Sequence, residues 1–307
     1  MLLNLDKINV KGDLRVQEPM SRHTSWKTGG NADYYYVASD RDDLAKFISK
    51  LPSSTPVTWV GLGSNLLVRD GGISGVVISV VGIFNELKKF SDNEIYIGAG
   101  VPCAKAANFS AKHGLEGIEF LAGIPGTIGG ALAMNAGAYG GEIWSYVNEV
   151  EVINRKGTSK VYEKNEFDIS YRTVSISNDE WFISCKMKLE ISNRTIVNDR
   201  IKKMLNQRAS QQPLGKLSCG SVFRNPPNQH AAKLIDLCGL KGKKVGGAMI
   251  SDKHSNFIIN TGNATSLDIE KLIEFVQEVV YEKHSIKLIP EVRIIGENHN
   301  KVKDAII

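Results

Sequence analysis

The sequence predicts an α+β protein of two domains, and three observations carry that expectation. Short strand-like runs dominate roughly the first two thirds of the 307 residues. Residues 121–141 hold seven glycines, an irregular stretch unsuited to a long helix or strand. Around residues 192–195 the β-rich pattern gives way to a long charged helical pattern, which marks a boundary. A first domain over 1–195, itself of two subdomains and completed by a C-terminal strand near 287–297, is therefore expected beside a smaller α+β domain over 196–286.

The elements follow in order. Ser39-Asp40-Arg41-Asp42 reads as a helix start, because short polar side chains satisfy first-turn N–H groups, and Leu44, Phe47, Ile48 and Leu51 then recur at helical spacing. A strand at 56–60 leads into Gly61-Leu62-Gly63-Ser64-Asn65, and extended runs follow at 66–68, 76–80 and 94–97. Residues 103–113 read as an Ala-rich helix stopped by Gly114. Strands resume at 147–154, 160–162 and 181–189, the last alternating apolar and polar residues as a half-exposed strand should. Beyond the boundary come a helix at 196–209, a loop at 220–225, a helix at 230–238 ended by Gly239, and a strand at 256–260. A long helix spans 267–283 with a core stripe of Leu272, Phe275/Val276 and Val279/Val280, before a strand at 287–295 and a frayed polar tail at 297–307.

Composition narrows the class. No apolar run is long enough to cross a bilayer, and residues 1–10 have neither the apolar core nor the cleavage site of a signal peptide, so a cytoplasmic protein with no membrane partner is expected. Cys103, Cys185, Cys219 and Cys238 are spaced 82, 34 and 19 apart, which matches no metal or redox pair; no metal is implied and free thiols are expected. Net charge is +5, yet residues 199–244 carry ten Lys/Arg against two Asp. Such a surface favours an anionic ligand. With only Phe223 among these bases, nucleic acid is disfavoured and a phosphorylated small molecule fits better.

Gly61-Leu62-Gly63-Ser64-Asn65 follows a strand, but Leu66 stands where a dinucleotide fingerprint needs its third glycine, and no helix follows. Glycine still lets a backbone approach a diphosphate closely and aim N–H groups at it. The same holds for Gly123-Ile124-Pro125-Gly126-Thr127-Ile128-Gly129-Gly130 and Asn135-Ala136-Gly137-Ala138-Tyr139-Gly140. Two such systems in one domain suit an extended ligand with a diphosphate and a flat ring, such as FAD.

These loops become specific in company. With His23-Thr24-Ser25-Trp26-Lys27-Thr28-Gly29-Gly30, Tyr171-Arg172, Gly220-Ser221-Val222-Phe223-Arg224-Asn225-Pro226 and Pro290-Glu291-Val292-Arg293, they stand in the order found in the UDP-N-acetylenolpyruvoylglucosamine reductase family, which the chain resembles over roughly residues 20–297. The resemblance implies an FAD-binding domain of the vanillyl-alcohol-oxidase/PCMH type plus a smaller substrate-binding domain. It implies that NADPH reduces a non-covalent FAD, and that UDP-N-acetylglucosamine enolpyruvate is then reduced to UDP-N-acetylmuramate for peptidoglycan synthesis. By the same resemblance, Gly61, Gly63, Ser64, Asn65, Leu66, Gly123, Pro125, Gly126, Thr127, Gly130, Asn135, Gly137, Ala138 and Tyr139 bind the cofactor. Arg172 and Glu291 stabilise an enolate-like intermediate and Ser221 donates the proton. Tyr171, Arg208, Arg224 and Asn225 are candidates for the UDP-sugar, with the stretch 246–254, including His254, a weaker one.

The chemistry is reasonable residue by residue. Arg172 can meet a carboxylate with two parallel N–H bonds that strengthen as charge accumulates. Ser221 has no triad-like neighbour, but a carbanion is a strong base and needs only an adjacent donor. Glu291 could polarise that donor or the enolate. Taken alone, Arg172 also reads as a surface residue, Ser221 as a turn residue and Glu291 as the polar member of an edge strand. No tyrosine occurs between Tyr171 and Tyr281, so the chain resembles the shorter variant of the family, lacking a tyrosine-bearing loop. The rival expectations are an FAD-dependent oxidase of the same fold and a non-catalytic UDP-sugar-binding module.

Overall fold

A computed structural model of the chain describes residue 5 and residues 8–298. The chain forms two compact units. The first comprises the chain up to Arg15, Tyr35–Leu62 and Val76–Arg208; the second comprises Val16–Tyr34, Gly63–Gly75 and the chain from Ala209. Helices and antiparallel or short parallel strand pairs are mixed in both, the expected α+β class.

In the first unit a five-stranded antiparallel sheet has the order Ser159–Glu163, Val147–Asn154, Glu180–Lys188, Glu94–Gly98, Leu87–Lys89. Its apolar face carries Val150, Val152, Phe182, Cys185, Met187, Ile95 and Ile97. Against them pack α2 (Cys103–Lys112) through Ala106, Ala107 and Ala111, α3 (Ile128–Ala133) through Ile128, Ala131 and Leu132, and α4 (Arg194–Gln211) through Val197 and Ile201; α1 (Arg41–Lys50) is not part of this cluster. The small alanines of α2 let the helix lie close to the sheet, and each buried Val, Leu, Ile or Phe contributes about 1.5–3 kcal/mol.

α1 is fixed by two aspartates. Asp40 caps it by accepting from Asp43 N at 2.8 Å. The buried Asp43 accepts from Lys11 N (2.8 Å), Gly12 N (2.9 Å), Ser39 N (3.0 Å) and the Tyr36 hydroxyl (2.5 Å). Burial alone would raise the Asp43 carboxyl, but these donors overcome it and hold the group at about 2. A folded-state value below the unfolded one means stability that is complete above about pH 4 and is lost as pH falls toward 2. Asp43→Ala strands four donors and is expected to cost about 3–5 kcal/mol. Denaturant midpoints at pH 7 and pH 3 check this: the loss is large at pH 7 and smaller at pH 3.

The second unit packs α5 (Ala231–Leu237) and α6 (Ser266–His284) on a three-stranded antiparallel sheet, Lys244–Val245, Ala248–Ile250 and Ile258–Asn260. Leu272, Val276 and Val280 of α6 are buried, with Phe275 and Val279 partly so, as the stripe predicts. Thr265 and Asp268 close a capping box at its start, and the Asp70 carboxylate accepts from Ser266 N and Leu267 N, an anion at the positive helix end. Arg293–Ile295 pairs in parallel with Leu66–Val68.

The units depart from the expected boundaries of 1–195 and 196–286. The first runs on to Arg208, and the stretches around Trp26, Leu67 and the C-terminal strand cluster with the second. The reason is burial at long sequence separation: Trp26 is fully buried, donates Nε1–H to Ile258 O (2.8 Å), and accepts at its carbonyl from Asn260 Nδ2 (2.8 Å). The last strand is also shorter than expected, since Pro290 has no N–H and Glu291 N is spent on Val222 O. From residue 299 on, the expected frayed tail lies outside the described residues. Among the described residues, no helix is long and apolar enough to cross a membrane.

Candidate active site

In the first unit the Gly-rich stretch is held down at both ends. Ile128 N donates to Val101 O and Gly129 N to Ala99 O, each at 2.9 Å, which lashes α3 beside the start of α2. Thr127 caps α3 through Oγ1, which accepts from Gly130 N at 3.4 Å. Glycine is required at the contacts: a Cβ on Gly61 would lie 2.5 Å from Thr127 Oγ1, and one on Gly129 would lie 2.8 Å from Ala99 Cβ. Pro125 and Gly126 lead into the cap, and Gly126 O accepts from Cys103 N at 3.0 Å. Next comes a tight hairpin, Gly137–Ala138 against Gly141–Glu142. Its central residues, Tyr139 and Gly140, are both left-handed, the type I′ geometry that suits the twist of paired strands. A left-handed tyrosine stores backbone strain of order 1–3 kcal/mol; its hydroxyl donates to Met204 O at 2.9 Å.

A second hairpin, Ile169–Ser170 against Thr173–Val174, presents Arg172 at its turn, again left-handed (φ 57°). Arg172 Nη1 donates to Asn135 O (3.2 Å) and Nη2 to Gly137 O (2.7 Å). Its guanidinium also lies over the Tyr171 ring, 5.0 Å from the centroid. Asn135 is buried and left-handed; its amide donates to Glu142 Oε2 (2.9 Å) and Ser170 O (3.1 Å) and accepts from Trp144 N (3.4 Å). The Asn135 side chain is thus spent on joining the two hairpins, and the arginine fork rests on the same loop. Arg208 lies beside this system: a Cβ on Gly123 would come 3.4 Å from its Nη1. Burial pushes the Arg208 guanidinium below its ordinary value, and among the described residues no carboxylate pairs with it. It therefore stands beside Gly123 of the glycine stretch.

In the second unit Gly63 is left-handed, and a Cβ there would lie 1.9 Å from His23 O, so both its backbone and its surroundings require glycine. Asn65 Nδ2 donates to Glu291 O (3.1 Å), and Arg293 N donates to Asn65 O (3.0 Å), which carries the Ser64–Leu66 loop onto the Glu291 segment. Glu291 N in turn donates to Val222 O (2.7 Å) and Arg224 N to Ile289 O (2.9 Å). Ser221 and Glu291 therefore stand on adjoining backbone segments of one ladder, which Phe223 and Pro290 bridge. Gly220 before Ser221 is left-handed, and nothing lies within 4 Å of where its Cβ would sit. Asn225 Oδ1 accepts from Ala231 N (3.1 Å), so that side chain caps α5. Cys219 is buried against Gly63 O and Leu66 O, and burial pushes its thiol up to about 12, leaving it protonated and inert. His254 is half-buried on Phe257; burial lowers it, and its Nδ1 has no hydrogen-bond partner among the described residues.

The predicted residues thus fall into two sets. Gly61, Gly123, Pro125, Gly126, Thr127, Gly130, Asn135, Gly137, Ala138, Tyr139, Tyr171, Arg172 and Arg208 belong to the first unit; Gly63, Ser64, Asn65, Leu66, Ser221, Arg224, Asn225 and Glu291 belong to the second. One residue that sequence reasoning passed over is Asn256, which clamps the Ser221 loop. Its position in an apolar strand run was the available signal, since an amide is rarely buried there without work to do.

Both loop systems, and a glycine framework that a Cβ would fill, define a flavin-binding protein: residues 32–161 match the model described as FAD binding domain. Residues 212–295 match the model described as UDP-N-acetylenolpyruvoylglucosamine reductase, C-terminal domain. Proteins named UDP-N-acetylenolpyruvoylglucosamine reductase are similar throughout: one from Nitrosococcus oceani is 48% identical, covering 94% of this chain and 97% of its own. Another from Legionella pneumophila is 51% identical, covering 94% of both. The crystal structure of the reductase from Thermus caldophilus superposes with a TM-score of 0.79 at 31% identity, over 93% of this chain and 99% of that one. The chain belongs to the UDP-N-acetylenolpyruvoylglucosamine reductase family.

The residues present fit FAD. The backbone at Gly61, Gly129 and Gly137 is packed too closely for any Cβ, and Arg208, with no carboxylate partner among the described residues, flanks Gly123. A loop of small residues beside a guanidinium suits a diphosphate.

Proposed function

We propose that the chain is an NADPH- and FAD-dependent reductase that converts UDP-N-acetylglucosamine enolpyruvate to UDP-N-acetylmuramate. The observation that carries the assignment of residues is the ladder in the second unit, where the residue after Ser221 accepts from Glu291 N at 2.7 Å. Bound FAD, reduced by NADPH, would supply the hydride for the terminal enolpyruvyl carbon. Negative charge then accumulates on the neighbouring carbon and its carboxylate, and the protein's task is to stabilise that charge and end it with a proton. Arg172 meets the carboxylate through its fork, Ser221 donates the proton, and Glu291 stabilises the enolate-like species from its place beside the Ser221 loop. Arg208 is assigned to the cofactor's diphosphate, on its position next to Gly123. Tyr171, Arg224 and Asn225 are assigned to the UDP-sugar, Asn225 doing so while it caps α5.

Anaerobic stopped-flow at the flavin band tests the reading. NADPH is expected to bleach the band, and UDP-N-acetylglucosamine enolpyruvate to restore it rapidly. Bleaching without recovery overturns the substrate in favour of an oxidoreductase acting elsewhere. No flavin band after adding FAD overturns the enzyme in favour of a sugar-nucleotide-binding module.

A further inference from the structure

We infer that Asn256 is a positioning residue for proton delivery by Ser221, an inference that rests on the role proposed for Ser221. Asn256 is buried and forms a closed pair with the backbone of Phe223: its Oδ1 accepts from Phe223 N, and its Nδ2 donates to Phe223 O, both at 2.9 Å. Its own carbonyl accepts from Val222 N, also at 2.9 Å. Three bonds from one residue thus fix the two residues that follow Ser221. On the opposite side Glu291 N and Val292 N both donate to Val222 O, at 2.7 and 3.4 Å.

The clamp is needed because the Ser221 loop lacks a strand's regular ladder. Gly220 is left-handed, and the segment around Ser221 pairs on one side only, through the single bridge of Phe223 to Pro290. A primary amide imitates one peptide unit, offering a donor and an acceptor side by side. It therefore supplies at Phe223 the pairing that a neighbouring strand would give. Fixing Val222 and Phe223 fixes where the Ser221 Cα–Cβ bond starts, and a proton donor misplaced by an ångström loses a large part of its effect. The Asn256 side chain is buried and meets Phe223 with both its oxygen and its nitrogen, so it acts on the reaction through the Ser221 loop.

The test uses the holoenzyme and separates the two half-reactions. Asn256→Ala is expected to leave bleaching by NADPH within about twofold of wild type and to slow reoxidation by UDP-N-acetylglucosamine enolpyruvate by about 10- to 100-fold. Asn256→Asp gives a sharper sign. Ionised, the carboxylate keeps the acceptor but faces Phe223 O with a second oxygen; protonated, it restores both halves of the pair. Burial raises such a carboxyl, bringing its titration into the usable range. The ratio of Asn256→Asp to wild-type reoxidation rate is therefore expected to climb toward one as pH falls. The titratable or charged groups on the segments packed here include Glu291, Arg293, Arg224, Asp252, Lys253, His254, Cys219 and, on α5, Lys233, and they are common to both proteins, so the ratio removes their titration.

A pH-independent ratio, or reoxidation by Asn256→Ala at the wild-type rate, overturns the inference. So does an equal fall in both half-reactions, which marks a residue that only supports the fold. Ser221→Ala is run beside these variants. If it reoxidises normally, the role given to Ser221 fails; if it is slow while the Asn256 variants are normal, the role given to Asn256 fails alone.

Discussion

Replacing Ser221 with alanine is expected to leave flavin bleaching by NADPH intact while slowing its recovery on UDP-N-acetylglucosamine enolpyruvate by about 10²–10⁴-fold. The asymmetry follows from what a proton donor does. Bleaching the flavin needs no proton at the substrate carbon, whereas the carbanion left by hydride addition reverts unless a proton reaches it. The substitution is conservative for the fold. The bonds that hold the loop run from Val222, Phe223, Asn256 and Glu291, and they survive loss of the serine hydroxyl. A melting temperature equal to wild type, with recovery slowed by that factor in rapid-mixing traces, is the expected pair of results. Recovery at the wild-type rate moves the proton source to another group.

The second large effect is expected at Arg172. Lysine there is expected to lower kcat/KM by about 10²–10³, equivalent to about 2.7–4 kcal/mol of transition-state stabilisation. Arg172 uses two nitrogens on two carbonyls, Asn135 O and Gly137 O, and so stands at a fixed orientation to the glycine hairpin. A single ammonium, with three donors and no planar fork, cannot hold both carbonyls and also meet a carboxylate with two parallel bonds. The turn itself is indifferent to the change, because both side chains meet the same left-handed backbone. Arg172→Lys should therefore unfold close to the wild-type temperature, while Arg172→Gly, freed of the left-handed penalty but stripped of the bonds to Asn135 O and Gly137 O, should unfold at or below it and be at least as slow. Steady-state kinetics with a thermal melt separates these effects.

Elements with a strong local signal were legible in the sequence. The Leu272–Val280 stripe, the Asp40 start of α1 and the strands at Leu66–Val68 and Val147–Asn154 lie where pattern and capping put them. Asn31–Val37 drew no expectation because it is buried on both faces over much of its length and so shows no clean alternation. α3 was hidden inside a Gly-rich run, where propensity argues against a helix and tertiary bonds to Ala99 and Val101 impose one. Gly61-Leu62-Gly63 reads as one motif, yet the two units divide it between Leu62 and Gly63. The candidates Arg172, Ser221 and Glu291 came only from resemblance. The features that mark them physically, a left-handed turn and a backbone ladder joining positions 222 and 291, depend on contacts that no local window contains.

That ladder, with the parallel pairing of Leu66–Val68 and Arg293–Ile295, has a consequence for synthesis on the ribosome. The second unit draws Trp26 and Leu67 from the first quarter of the chain and Leu288 and Val292 from its end into one core. It cannot close until Val292 has been translated. During elongation the early segments of this unit wait with their apolar side chains uncovered, and its folding ends in a late consolidation. No contiguous fragment holds the whole unit without also carrying residues 76–208 of the first, so a stop codon or nick anywhere between residues 75 and 209 parts segments of one core.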